Sequence, residues 1–197
     1  LGTVQGHRDG FGFVVPDDGG EDIFLAEREM ARVMHGDRVS IRVLGTDRRG
    51  RPEGQIVEVL VHANRLVIGR LLNENGVLIV APEDKRIGHD ILIPPRGQGM
   101  AKLGQVVSVE IIDYPDSYRQ AVGRVVEVLG EIDDPGMEIE IAVRKYGVPH
   151  SFSPAVLKES EALPNEVTQE DLKGRVDLRD VPLVTIDGAD ARDFDDA

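Results

Sequence analysis

Five carboxylates crowd the stretch Leu183-Val-Thr-Ile-Asp-Gly-Ala-Asp-Ala-Arg-Asp-Phe-Asp-Asp-Ala197: Asp187, Asp190, Asp193, Asp195 and Asp196 lie within ten residues. Like charges at that density are unfavourable unless something positive neutralises them. A hard divalent cation such as Mg²⁺ suits an all-oxygen set and leaves positions open to water and phosphate oxygens. Asp187 follows a four-residue apolar run and precedes Gly188, a strand-to-loop corner of the kind that carries chemistry in α/β folds. An EF-hand calcium loop fails, because no Gly stands at the required sixth position after Asp190 and no Glu closes the loop. The bland alternative is a solvated acidic loop.

A second concentration is aromatic. The chain has five Phe, three Tyr and no Trp, yet Phe11, Phe13 and Phe24 fall within 14 positions. Phe11 and Phe13 stand at i and i+2 and share one face of a strand, with Gly10 and Gly12 on the other side. In the next segment Ile23 and Leu25 alternate with Asp22 and Phe24, so the aliphatic pair suits a core and Phe24 turns outward. Aromatics on a sheet surface stack bases, contributing about 1–3 kcal/mol each. Arg8, Arg38 and Arg42 are candidates to meet the phosphates. The competing reading of the three rings is the core of a small barrel.

The elements that position these residues follow from an internal repeat. Gly10–Asp18 aligns with Gly76–Asp84, Asp22–Leu25 with Asp90–Ile93, Gly36–Val43 with Gly104–Ile111, and Gly54–Leu60 with Gly123–Leu129. Offsets of 66, 68, 68 and 69 grow as loop insertions would make them. Each block reads as a strand, Val39, Ile41 and Val43 alternating with Arg38, Ser40 and Arg42. A short helix is expected over 27–34. Short strands, one helix and Gly-rich turns predict a mainly β fold, two tandem five-stranded barrels of the oligonucleotide-binding (OB) type. The expected divisions are a first barrel over 1–61, a second over 62–130, a helical connector over 131–181 and the start of a further domain over 182–197. Within the connector, Ser153-Pro154 opens a helix through Leu163. Val176–Leu178 and Leu183–Ile186 read as the first strands of an α/β domain.

Composition narrows the class. The net charge of −13 sits unevenly: residues 1–60 carry 8 Lys+Arg against 11 Asp+Glu, residues 61–130 carry 8 against 8, and residues 131–197 carry 7 against 17. The acidity is thus concentrated in the last third, and an anionic partner for the first 130 residues is compatible with it. Zero Cys excludes disulfides, thiolate zinc sites and a Cys nucleophile, and fits a cytoplasmic location. The five His are scattered without ligand spacing. No apolar run is long enough for a bilayer, and LGTVQGHRDG reads as the start of a trimmed chain rather than a signal peptide.

Asp-Gly-Phe-Gly-Phe-Val (9–14) and Asp-Ile-Phe-Leu (22–25) resemble the two RNA-binding motifs of cold-shock domains, which implies that Phe11, Phe13 and Phe24 face single-stranded RNA. The second copy carries Val77, Ile79 and Leu92 at these places, so it is expected to supply scaffold and backbone contacts. Thr-Ile-Asp-Gly followed by Ala-Arg-Asp-Phe-Asp-Asp-Ala resembles the opening motif of the ribonuclease II/ribonuclease R (RNB) superfamily of exoribonucleases. The order of two cold-shock-like barrels upstream matches that family, and Gly147-Val-Pro-His and Gly174-Arg-Val-Asp-Leu-Arg-Asp look like its ribonuclease R branch. The resemblance covers essentially the whole chain. It departs at Ala189, where many relatives are acidic. It implies a processive, Mg²⁺-dependent hydrolysis of RNA from the 3′ end to nucleoside 5′-monophosphates. By carry-over, Asp187 and Asp196 are direct Mg²⁺ ligands, Asp193 completes the metal shell, and Asp195 is catalytic, positioning the attacking water; Asp190 has no match. The family's catalytic domain runs several hundred residues further, so the chain is expected to be an inactive, monomeric, RNA-binding portion on whose C-terminal segment the remaining polypeptide packs. The rival from another class is a non-catalytic tandem OB module that binds or chaperones RNA.

Overall fold

The computed structural model describes residues 1–46 and 50–193, in two units spanning 1–150 and 151–197. The first unit holds both barrels. The first barrel comprises β1 (Gly2–Gly6), β2 (Gly12–Pro16), β3 (Ile23–Leu25), α1 (Glu27–Met30), β4 (Arg38–Thr46) and β5 (Pro52–Val61). Its strands close in the order β1-β2-β3-β5-β4, antiparallel throughout except for the parallel β3–β5 pair. The second barrel, β6 (Leu66–Glu74), β7 (Val77–Pro82), β8 (Ile91–Leu92), β9 (Gln105–Asp113) and β10 (Val122–Glu131), closes in the same cyclic order with a parallel β8–β10 pair. The two copies read in the sequence are therefore two copies of one topology, and the fold is mainly β.

Alternation decides which side chains fill the first barrel. Val4 opposes Val14 and Val14 opposes Ile23, all on the inner face. With Leu25, Val33, Val39 and Ile56 they form the core, each fully buried aliphatic contributing about 1.5–3 kcal/mol. Gly12 faces inward as well, and a Cβ there would lie 2.5 Å from Met30 Sδ and 2.7 Å from Gln5 O. The missing side chain makes room for Met30 of α1 to plug that end of the barrel. The helix itself is shorter than expected, ending at Met30 rather than Met34. The chain turns there so that Met34 enters the core of the second barrel beside Val67, Leu71, Val80 and Ile91. A helix continued to Met34 would keep that side chain on its own barrel.

Polar groups seal the same junction. Asp37, 0% exposed, accepts hydrogen bonds from Met34 N (2.9 Å) and Ala63 N (2.9 Å), and its Oδ2 lies 3.4 Å from His62 Nδ1. His62 stacks on Tyr114 at 3.6 Å, and His89 Nε2 donates to Met30 O and Val33 O at 2.9 Å each. Apart from the local Asp37–Met34 bond, each contact joins one barrel to the other or to the residues linking them.

After the second barrel, α2 (Met137–Lys145) packs Met137 and Ile141 against Ile68 and Val106, and Arg144 pairs with Glu127 of β10 at 2.8 Å. In the second unit, α3 (Pro154–Ala162) begins as its sequence implies: Ser153 Oγ accepts from Val156 N (3.3 Å), with Pro at the first turn. The strands expected at Val176–Leu178 and Leu183–Ile186 are a correction. Both segments lack strand structure and their apolar side chains are largely exposed, for among the described residues no neighbouring strand completes a ladder with them. No helix among the described residues is long and apolar enough to cross a membrane.

Candidate nucleic-acid interface

The register that buries Val4 and Val14 turns the next row outward. Gln5 opposes Phe13, Phe13 opposes Phe24, and Phe24 opposes Glu53 across β1, β2, β3 and β5. Phe11 enters β2 from a turn in which Gly10 has φ +87°, a conformation that favours glycine. His7 N donates to Phe11 O at 2.8 Å and closes that turn. The three Phe rings meet on the outer face with centroids 5.8, 5.9 and 5.9 Å apart, at interplanar angles of 87°, 40° and 68°. They are half-buried by one another and stand outside the core, whose inner positions are aliphatic. Tilted aromatic contacts of this kind contribute about 0.5–1.5 kcal/mol per pair, which offsets the cost of holding rings on the surface.

Two residues extend the stripe that the sequence reading did not single out. His7 stacks on Phe11 at 4.3 Å and 14°, and the Arg51 guanidinium lies 4.6 Å from the Phe24 centroid and 5.7 Å from that of Phe13. His7 stands four residues before Phe11 across a tight turn, a local signal. Arg51 meets Phe24 only because β3 and β5 run side by side, a pairing between distant segments.

The three arginines named from sequence are placed differently. Arg38 shares the outer face, opposite Thr3, but its guanidinium is held by Asp17 at 2.6 Å. Arg42 is exposed on β4 opposite Gln55, with β5 between it and the Phe row. Arg8 is exposed, its Nε 3.7 Å from Asp9 Oδ1. The structure thus brings the three rings together and spreads the cations around them.

On the second barrel, Ile79 takes the place of Phe13 and opposes Leu92, which takes that of Phe24. Ile79 is only 5% exposed, whereas Val77, in the place of Phe11, is 50% exposed. The equivalent face presents no aromatic ring from its own strands.

The acidic terminus is described as far as Asp193. Asp187 Oδ2 is buried with no hydrogen-bond partner among the described residues, an orphaned oxygen that fits a cation. Asp190 and Asp193 are exposed, and no group of three or more potential metal ligands forms among the described residues. Asp195 and Asp196 lie outside the described residues.

Two closed barrels in OB order, one with an outward aromatic row, define a tandem OB-fold protein. A cold shock domain family model matches residues 79–153 and a ribonuclease B OB domain model matches residues 2–59. Ribonuclease R of Acidithiobacillus ferrooxidans is 50% identical over 198 residues, covering 100% of this chain and 45% of that protein. Ribonuclease R of Escherichia coli K12 is 47% identical over 196 residues, covering 100% of this chain and 24% of that protein. Over its whole length the chain is homologous to ribonuclease R, and it spans 24% to 45% of the length of those two relatives. In fold it resembles Mycoplasma genitalium RNase R in complex with ribose-methylated single-stranded RNA (TM-score 0.75, 20% identity, 98% of this chain and 31% of that one). It also resembles yeast Ssd1, a pseudonuclease (TM-score 0.60, 18% identity, 88% of this chain and 28% of that one).

Proposed function

We propose that this chain is the RNA-binding portion of a processive 3′-to-5′ hydrolytic exoribonuclease, and that single-stranded RNA crosses the first barrel on Phe11, Phe13 and Phe24. The observation that carries this reading is the outward cluster of three rings on a barrel whose core is complete without them. Bases stack on such rings regardless of sequence, which suits an enzyme that must accept every nucleotide in turn. Arg8, Arg38 and Arg42 supply positive charge around the path, and Arg38 exchanges Asp17 for a phosphate when RNA is bound.

For the acidic terminus we propose that Asp187, Asp193 and Asp196 hold Mg²⁺, with Asp187 supported by its orphaned oxygen. Bound there, the metal would polarise the scissile phosphate and lower the pKa of the attacking water. Asp195 would orient that water and take up its proton as the water oxygen bonds phosphorus and the P–O bond to the departing 3′-oxygen breaks.

The test is a chimera in which residues 1–197 replace the matching region of the Escherichia coli relative. Mg²⁺-dependent release of nucleoside 5′-monophosphates from the RNA 3′ end is the expected result. Asp195→Asn in that chimera should lower turnover by about 10² or more while RNA affinity holds, the signature of an interaction made in the transition state. A chimera that binds RNA but degrades none would leave the non-catalytic RNA-binding module as the function of this sequence.

A further inference from the structure

The second barrel lacks rings on its own strands, yet an open groove of about 510 Å³ is lined by Leu92, Asp113, Tyr114, Tyr118, Arg119 and Val122. That volume is within the roughly 300–1,000 Å³ range of ligand clefts. Tyr118 is 96% exposed, although burying its ring would be favourable.

Tyr118 is nonetheless presented by a built loop. Asp116 Oδ1 accepts from Tyr118 N (2.7 Å) and Arg119 N (2.9 Å), Asp116 N donates to Arg119 O (3.0 Å), and the Arg119 guanidinium lies 3.0 Å from Asp116 Oδ2. These backbone donors, that of Tyr118 foremost, hold the Asp116 carboxyl below the usual carboxylate range. Tyr114, also lining the groove, is anchored by its stack on His62 and by donation from its hydroxyl to Asn64 O (3.2 Å).

Topology gives this loop a meaning. In the first barrel the β4–β5 connection delivers Arg51 over Phe24, just before β5 pairs in parallel with β3 at Glu53. In the second, the β9–β10 connection delivers Tyr118 and Arg119 beside Leu92, just before β10 pairs in parallel with β8 at Val122. The two connections are equivalent, and the ring that β8 lacks is supplied from the loop.

We propose that the Tyr118 groove is a second base-stacking site for single-stranded RNA, with Tyr118 as the platform and Arg119 and Gln120 at its polar rim. It rests on the reading of the first barrel as an RNA-binding face and extends that reading to the second.

The test uses residues 1–197 and oligouridylates of about 8 and about 20 nucleotides, one barrel's span and more than one barrel's span. Tyr118→Ala should weaken binding of the longer oligomer about tenfold and leave the shorter within about twofold, while Tyr118→Phe retains wild-type affinity. Because the chain has no Trp, Tyr118→Trp creates a single reporter whose emission should be quenched by the longer oligomer. Unchanged affinity of Tyr118→Ala together with an unquenched Tyr118→Trp overturns the site. Phe13→Ala with Phe24→Ala is the control. If that variant loses affinity and the Tyr118 variants do not, the second site alone falls. If the wild-type chain binds neither oligomer, both readings fall.

Discussion

The two barrels share strand order, the parallel pairing that closes them and a glycine early in the bulged last strand (Gly54 and Gly123), yet they use their outer faces differently. On the first, Phe13 and Phe24 face each other in register and remain half-buried beside Phe11. On the second, Ile79 and Leu92 occupy the same register, but Ile79 is withdrawn to 5% exposure and the available rings come from a loop. One topology therefore constrains where a binding face lies without deciding which segment furnishes its chemistry. Strand pairing is set by backbone hydrogen bonds, whereas the outer side chains answer only to solvent and ligand.

That comparison can be broken first at the junction. Asp37→Ala removes a buried carboxylate that accepts two backbone N–H groups, leaving both donors unsatisfied. A loss of about 3–5 kcal/mol is expected. Calorimetry should then show the barrels unfolding in separate steps, where the wild-type unit unfolds in one.

Next comes a reciprocal pair on equivalent positions. Ile79→Ala should cost about 2–5 kcal/mol of stability in chemical denaturation with RNA affinity unchanged. Phe13→Ala with Phe24→Ala should do the opposite, lowering RNA affinity by about 2–4 kcal/mol while the inner core is intact. Equal effects of the two sets on both measurements would erase the distinction between a core face and a binding face.

A smaller effect is expected at Arg51. Arg51→Gln removes a cation placed over Phe24, so affinity should fall by about 0.5–2 kcal/mol and the salt dependence of binding should shallow by about one ion. Titrating KCl against an RNA oligomer reads both.

The smallest concerns pH. Burial first, and then the Arg86 charge, lowers the pKa of His35, whose Nδ1 accepts from Gly6 N at 3.3 Å. Its folded value lies below the unfolded one, so the unfolded chain binds the extra proton first and stability rises with pH. The contribution is present above about pH 6.5 and is lost as pH falls through the lowered folded value. His35→Gln should flatten the stability profile across that window, and an unchanged profile would assign the pH dependence elsewhere.

Much of this architecture is legible in the amino-acid sequence. The repeat offsets, the period-two alternation and the Gly-rich turns led to two small barrels because they report strand faces, which depend on neighbours in sequence. That Phe11 and Phe13 share one face, opposite Gly12, followed from the same alternation, since moving one residue along a strand reverses its face; that this face is the outer one was decided by the closed barrel, whose core is aliphatic. The Ser153 cap was likewise a local pattern, satisfied within three residues.

Other features depend on segments that meet only in space. The Arg51 guanidinium reaches Phe24 because β5 closes against β3, and Arg38 is held by Asp17 because the barrel brings positions 21 residues apart to 2.6 Å. Met34 leaves its helix because the second barrel offers it a core, an advantage invisible to helix propensity. Val176–Leu178 and Leu183–Ile186 show the converse, for β-branched and apolar composition makes a segment able to be a strand, but only a partner's backbone makes it one. Sequence thus determined by itself what local periodicity and side-chain chemistry encode: the strands of the two repeated barrels, which residues share a face, the aromatic motif and the acidic cluster. Tertiary structure decided which charges are neutralised, which rings meet and how the barrels join, because those outcomes depend on distances between residues far apart in the chain.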